Sequence, residues 1–307
     1  MKRKLLQLVI LICPALAFGQ QDPMISQYMF TGTVLNPAYV GSHENTNATA
    51  LYRYQWAGIS TDNGTDDLNP RTALFSLDGK LKNENLGWGI ILGNDQFGVS
   101  GKTDVVGNLA YHLGLGKGTL SFGLRSGLSF YNADLTSVKL FNGAYDPAFA
   151  SNGENQIMGN VGAGAYYYAK KFYLGVSVPH TIENTLVSDK STLVRHYYAH
   201  TGVVLEVNEN FAIKPSILMK YVEAAPVEFD LNLNFLIGNV VWIGGSYRTG
   251  DSFVGMIELQ ANKNLRVGYA YDKMFTELDT FSTGSHEFML SWCFGVSQTK
   301  MKSPRYF

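Results

Sequence analysis

From about residue 46 onward the chain alternates apolar and polar residues with period two. Phe229, Leu231, Leu233, Phe235 and Ile237 alternate with Glu228, Asp230, Asn232 and Asn234. Leu120, Phe122, Leu124, Leu128 and Phe130 alternate with Ser121, Gly123, Arg125, Ser129 and Tyr131. Successive side chains of an extended strand point to opposite faces, so each stretch has one oily and one wet face. Fourteen stretches are recognised, at 47–59, 71–81, 86–97, 102–116, 119–133, 157–169, 172–180, 195–207, 211–222, 227–237, 240–249, 252–262, 265–275 and 284–295. Most reach the ~9–11 residues that a tilted strand needs to cross a bilayer. An open sheet edge in lipid would leave backbone groups unpaired at several kcal/mol each, so the strands must close on themselves. The expectation is an all-β fold, a closed antiparallel transmembrane β-barrel of about 14 strands over 47–295, with an N-terminal periplasmic or plug segment at 20–46.

The connections point the same way. Lys82–Asn85, Lys117-Gly118, Lys170-Lys171, Asn208–Asn210, Gly238-Asn239 and Lys263-Asn264 are tight, polar hairpin turns. The alternate connections, 60–70, 134–156, 181–194 and 276–283, are mostly longer, with short ones near 98–101 and 250–251. Outer-membrane barrels put short turns in the periplasm and longer loops outside. Aromatic residues gather near strand ends, and the last strand turns Phe288, Leu290, Trp292 and Phe294 outward. Charged residues make up only 16% of the chain while Gly (32), Tyr (18) and Phe (18) are abundant, which suits a glycine-kinked, aromatic-girdled barrel.

Lys2, Arg3 and Lys4 precede the apolar run Leu5–Cys13 and small residues around Ala17, which reads as a signal peptide over 1–19 with a mature start at Gln20. Cleavage would leave Cys293 as the only cysteine, so no internal disulfide is expected. A net charge of −1 gives no reason to expect nucleic acid as a partner.

The ends of the chain carry a resemblance. Gln20-Gln21-Asp22-Pro23, Ser26-Gln27-Tyr28-Met29-Phe30 and Leu35-Asn36-Pro37-Ala38-Tyr39-Val40-Gly41-Ser42 resemble the mature N-terminus of the PorP/SprF family. Tyr52-Arg53-Tyr54-Gln55-Trp56-Ala57-Gly58 is similar to that family's first strand, with Tyr54 where the family tends to have Asn, and Ser303-Pro304-Arg305-Tyr306-Phe307 is similar to its tail. The resemblance implies an outer-membrane component of the type IX secretion and gliding machinery of Bacteroidota. Such a protein takes part in export or surface anchoring of a sorting-domain, adhesin-like cargo. Implied partners are that cargo, a periplasmic peptidoglycan-binding protein of the machinery, and outer-membrane lipid. The alternative is a passive pore or hydrophobic-solute transporter.

Three sets of residues are candidates for function. Tyr28, Met29, Phe30, Asn36, Pro37 and Tyr39, with Leu35, belong to a segment that either plugs the barrel or docks a periplasmic partner; a plain flexible leader is the bland alternative. Arg53, Arg125, Lys214, Glu228, Asp230, Arg248, Glu258 and Arg266 are expected on the polar lumen face, together with Gln55, Asp104, His112, Lys220, Asn232, Asn234 and Asp272. Their mixed signs suit internal pairing better than an ion-selective lining. Arg305, Tyr306 and Phe307 would form a periplasmic hook in a tail at 296–307. His196 and His200 lie four residues apart on a strand, roughly 13 Å, which is too far for one metal ion. Asp62, Asn63, Gly64, Asp66 and Asp67 lack the spacing of a calcium loop. No Gly-x-Ser-x-Gly or comparable nucleophile motif occurs, so neither an enzyme nor a cofactor is expected.

Overall fold

The computed structural model describes residues 24–43, 45–59, 69–82, 85–134, 154–185, 192–223 and 225–295. The signal region, Gln20–Pro23, the acidic stretch 60–68, most of the loop at 134–156 and the tail with Arg305, Tyr306 and Phe307 lie outside these residues.

The chain forms a closed antiparallel barrel of 14 strands. They are β1 Asn47–Ala57, β2 Arg71–Lys80, β3 Leu86–Phe97, β4 Ser100–Leu115, β5 Gly118–Ala133, β6 Glu154–Tyr168 and β7 Phe172–Val178. β8 follows in two segments, His196–Val203 and Leu205–Asn208, and then β9 Phe211–Val222, β10 Glu228–Ile237, β11 Val241–Arg248, β12 Ser252–Gln260, β13 Leu265–Met274 and β14 Gly284–Cys293. Every strand pairs with its sequence neighbours, and β1 closes on β14 from Asn47↔Cys293 to Tyr54↔His286. No helix among the described residues is long and apolar enough to cross a membrane.

The period-two pattern sets the faces. Leu109, Leu124, Ile157, Leu231, Phe288 and Leu290 are exposed on the outer wall, while Asn108, Arg125, Asn160, Asp230 and Glu287 are buried toward the lumen. Aromatic pairs sit at both ends of the wall: Phe211 with Phe235 at the short-turn end, and Tyr247, Phe253 and Phe275 together at the long-loop end.

Two prolines explain where strands stop. β8 is interrupted at Val204, although Gly202↔Ser216 and Leu205↔Ile213 keep one register with β9. In that register Pro215 faces Val203, beside the break, and it has no N–H for the ladder. β7 ends at Val178, directly before Pro179, two residues short of the expected 172–180. β1 carries an irregularity between Tyr54 and Ala57, where Trp56 takes a φ of 55° and donates its N–H to Ser285 Oγ.

Candidate functional site

Residues 24–43 run inside the barrel. They are built from three short turns: Tyr28–Phe30, Gly32–Leu35 and Pro37–Tyr39. Local hydrogen bonds, such as Phe30 N–H to Gln27 O and Asn36 N–H to Gly32 O, satisfy the backbone where water is scarce. Asn36 caps the third turn through Oδ1, which accepts from the Ala38 N–H at 2.9 Å, and Pro37 stands at its first position.

The segment begins at a buried charge cluster. Both carboxylate oxygens of Glu287 accept backbone N–H groups, from Ser26 at 2.9 Å and Gln27 at 2.8 Å. The Ser26 hydroxyl donates to Asp272 at 2.7 Å and accepts from Arg53 Nη1 at 2.9 Å. Arg53 also pairs with Asp272 at 2.7 Å and Glu287 at 3.1 Å. Arg248 extends the cluster to Asp230 at 2.9 Å, Glu228 at 3.7 Å, Asp251 at 3.3 Å and Asp272 at 3.4 Å. Buried charges are tolerable only when paired and hydrogen-bonded, and each of these is.

Next along the chain, Ile25, Tyr28, Met29 and Leu35 pack with the inward-facing Leu51, Tyr198, Leu218, Val254, Met256 and Ala270. Burial first, and the neighbouring Tyr173 second, push the Tyr28 phenol well above its ordinary pKa, so it stays neutral. Phe30 enters a pocket of cations and rings. Lys214 Nζ lies 5.3 Å from its ring centre and 5.8 Å from those of Tyr173 and Trp242, and the Arg266 guanidinium lies 5.9 Å from the Phe30 ring. Arg266 in turn pairs with Glu258 at 3.2 Å.

The segment ends in a cradle of wall glycines. A Cβ on Gly123 would lie 2.2 Å from the Ala38 nitrogen, one on Gly164 2.1 Å from Asn36 Oδ1, and one on Gly87 2.1 Å from Val40 O. Only hydrogen fits there. Asn36 Nδ2 donates to Ala165 O at 3.0 Å and Val176 O at 3.3 Å. Ser121 donates to Ala38 O, Ser177 to Leu35 O, and His112 Nε2 to Val40 O. Arg125 donates to the Thr33 and Val34 carbonyls and holds Asn108 Oδ1. Tyr39 lies edge-on to Tyr166, which stacks on His200. The segment thus touches the wall from β1 round to β14.

The expected lumen residues fall into three groups. Arg53, Glu228, Asp230, Arg248 and Asp272 share the first cluster; Lys214, Glu258 and Arg266 share the second; Arg125 stands across the lumen holding backbone carbonyls. Lys220, Asn232 and Asn234 are also buried; Asn234 Nδ2 donates to Asn232 Oδ1, and Asp104 accepts from Ser129 nearer the long-loop end. Sequence reasoning missed Ser26, Gln27, Asp78 and Glu287. Glu287 was within reach, since outward Phe288 and Leu290 put residue 287 inward. Asp78, which accepts from Thr33, gave no such signal. Gly87, Gly89, Gly123, Gly164, Gly175 and Gly268 make room for the N-terminal segment. Among the described residues no group of His, Cys, Asp and Glu is arranged to hold a metal ion, and the carboxylates are engaged by guanidinium groups.

Residues 17–292 match the family model of the type IX secretion system membrane protein PorP/SprF. No curated protein matches the sequence. Among solved structures, the Ralstonia pickettii toluene transporter TbuX aligns over 91% of this chain and 95% of its own, at 10% identity and a TM-score of 0.53. The CymD monoaromatic hydrocarbon channel aligns over 89% and 93%, at 12% identity and a TM-score of 0.50. At these identities the likeness is one of barrel fold alone.

Proposed function

The chain belongs to the type IX secretion system membrane protein PorP/SprF family, an outer-membrane barrel of that system, and on this premise we propose that it works by binding. Its cargo is a sorting-domain protein, which it helps to export or anchor at the surface. Residues 1–19 direct export and are removed. The N-terminal segment acts as a plug, and the long loops, chiefly 134–156, 181–194 and 276–283, meet cargo. The short turns and the tail with Arg305, Tyr306 and Phe307 face a periplasmic peptidoglycan-binding component.

The observation that carries this reading is the filled lumen. Residues 24–43 are clamped by Glu287 and Asp272 at one end and by the glycine cradle at the other. A barrel held shut in this way offers surfaces rather than a passage. A pore or hydrophobic-solute transporter needs the opposite, an open bore, and the likeness to TbuX and CymD extends only to the wall.

The test is a mild-detergent pull-down of the tagged protein from its native membrane, read by mass spectrometry, beside planar-bilayer conductance of the purified barrel. Recovery of a sorting-domain protein together with a peptidoglycan-binding protein, and a closed barrel that opens when residues 24–43 are deleted, is the expected result. A lone barrel with steady conductance would overturn the reading in favour of a pore.

A further inference from the structure

The lipid-facing wall has a cationic foot at the short-turn end of β5 and β6. β5 follows the Lys117-Gly118 turn from β4, and β6 runs into the Lys170-Lys171 turn to β7. The two strands pair as far as Thr119↔Tyr168. That register, continued two steps past its last pair, sets Lys117 beside Lys170. Both lysines are exposed, and neither has a carboxylate partner among the described residues. Lys171 is different: Glu206 holds it at 2.7 Å.

Tyr167 stands beside the pair. Its ladder neighbours are the outward Leu120 and Leu174, so its ring lies on the lipid face, where its centre is 6.4 Å from that of Phe172. Its hydroxyl reaches the Lys117 turn, for a Cβ on Gly118 would lie 2.6 Å from Tyr167 Oη. A glycine next to Lys117 is what leaves room for it. The hydroxyl has no hydrogen-bond partner among the described residues. Exposed Leu113 and Leu115 on β4, with Phe172 and Leu174 on β7, carry the apolar wall down to the level of these turns. Tyrosine and lysine at such a boundary stand where lipid headgroups lie. The opposite side of the rim lacks the arrangement. The Asn208–Asn210 and Gly238-Asn239 turns hold no lysine, and Lys263 stands between Asn262 and Asn264.

We propose that Lys117, Lys170 and Tyr167 form a binding site for the phosphate of an anionic glycerophospholipid in the periplasmic leaflet. The site rests on the reading of short turns as periplasmic and adds a lipid of defined charge to it. Two ammonium groups and a phenol O–H are donors, so together they select an anion that accepts. A phosphodiester offers two free oxygens, one for each lysine, and an acyl chain continues from it up the wall along Leu113, Leu115 and Leu174. A soluble anion makes no use of that apolar surface. Two-residue turns project little below the wall, which places the lysines against headgroups rather than out in the periplasm.

The test uses the purified full-length barrel in nanodiscs of phosphatidylcholine, without any secretion partner, so its failure leaves the cargo reading untouched. About one lipid in ten is phosphatidylglycerol with a photoactivatable acyl chain, and adducts are mapped by peptide mass spectrometry. Adducts on β4–β7 near Tyr167 are expected to exceed those near Ile237 and Ile243, beside the lysine-free Gly238-Asn239 turn, by about tenfold. Lys117→Gln/Lys170→Gln should bring the two regions level, while the heat-resistant folded form on gels is retained. Tyr167→Phe should lower the excess in part. Photoactivatable phosphatidylcholine should label both regions equally. Equal labelling by phosphatidylglycerol, an excess that survives the double lysine variant in its folded form, an equal excess with phosphatidylcholine, or an excess abolished by millimolar inorganic phosphate at constant ionic strength would overturn the proposal.

Discussion

Arg53 on β1 and Asp272 on β13 meet at 2.7 Å across β14, with the Ser26 hydroxyl bound to both. β1 and β14 form the seam where the barrel closes. The same contact therefore ties together the closing strands and the start of the lumen segment.

Replacing Arg53 by Ala leaves Asp272 and Glu287 buried with less positive charge to face. Breaking one side of a buried pair costs about 3–5 kcal/mol. The variant should lose the heat-resistant, fast-migrating folded form on gels at a clearly lower temperature than the parent, and its lumen segment should become open to protease. A melting point equal to the parent's would count against the cluster as a structural clasp.

Gly123→Ala puts a Cβ 2.2 Å from the Ala38 nitrogen, so the wall and the Pro37–Tyr39 turn cannot both stay in place. The turn is the softer partner. Conductance and protease sensitivity of residues 36–40 should both rise. Gly255→Ala, whose Cβ meets nothing within 4 Å, is the control and should change neither.

Asn36→Ala removes the cap on Ala38 and two donations to wall carbonyls. Leaving buried groups unpaired costs about 1–3 kcal/mol. Asn36→Asp keeps the cap and loses the donors, so it should not rescue the loss. Thermal melting of the two variants side by side checks this.

Pro215→Ala restores an N–H opposite Val203, beside the break in β8. The ladder should become continuous across Val204, with a gain of about 0.5–1.5 kcal/mol for one added hydrogen bond. Hydrogen exchange at the amide newly created by this substitution is the readout: protection is expected, and exchange at a free-amide rate would show that something other than proline interrupts the strand.

Much of the barrel was legible from the residues alone, because a strand writes its two faces into the sequence with period two. Most observed strand limits lie within one to three residues of those read from alternation, and Arg53, Asp230, Arg248 and Asp272 were assigned inward on the same rule. β8 is broken at Val204 and β7 stops at Val178, both beside prolines that the alternation by itself did not weigh. The lumen segment is a different case. Its aromatics announced that they needed a surface, yet the sequence left a plug and a partner-docking segment equally open.

What the sequence determined alone is local: which stretches are strands, which face of each is polar, and which turns are short. What the tertiary structure decided is who meets whom inside the lumen. Ser26 and Asp272 stand 246 positions apart, and Asn36 and Ala165 stand 129 apart. Only closure of the wall brings them together. A glycine such as Gly123 or Gly164 carries no mark of what will press against it; its missing Cβ acquires meaning only once Asn36 and Ala38 occupy that space.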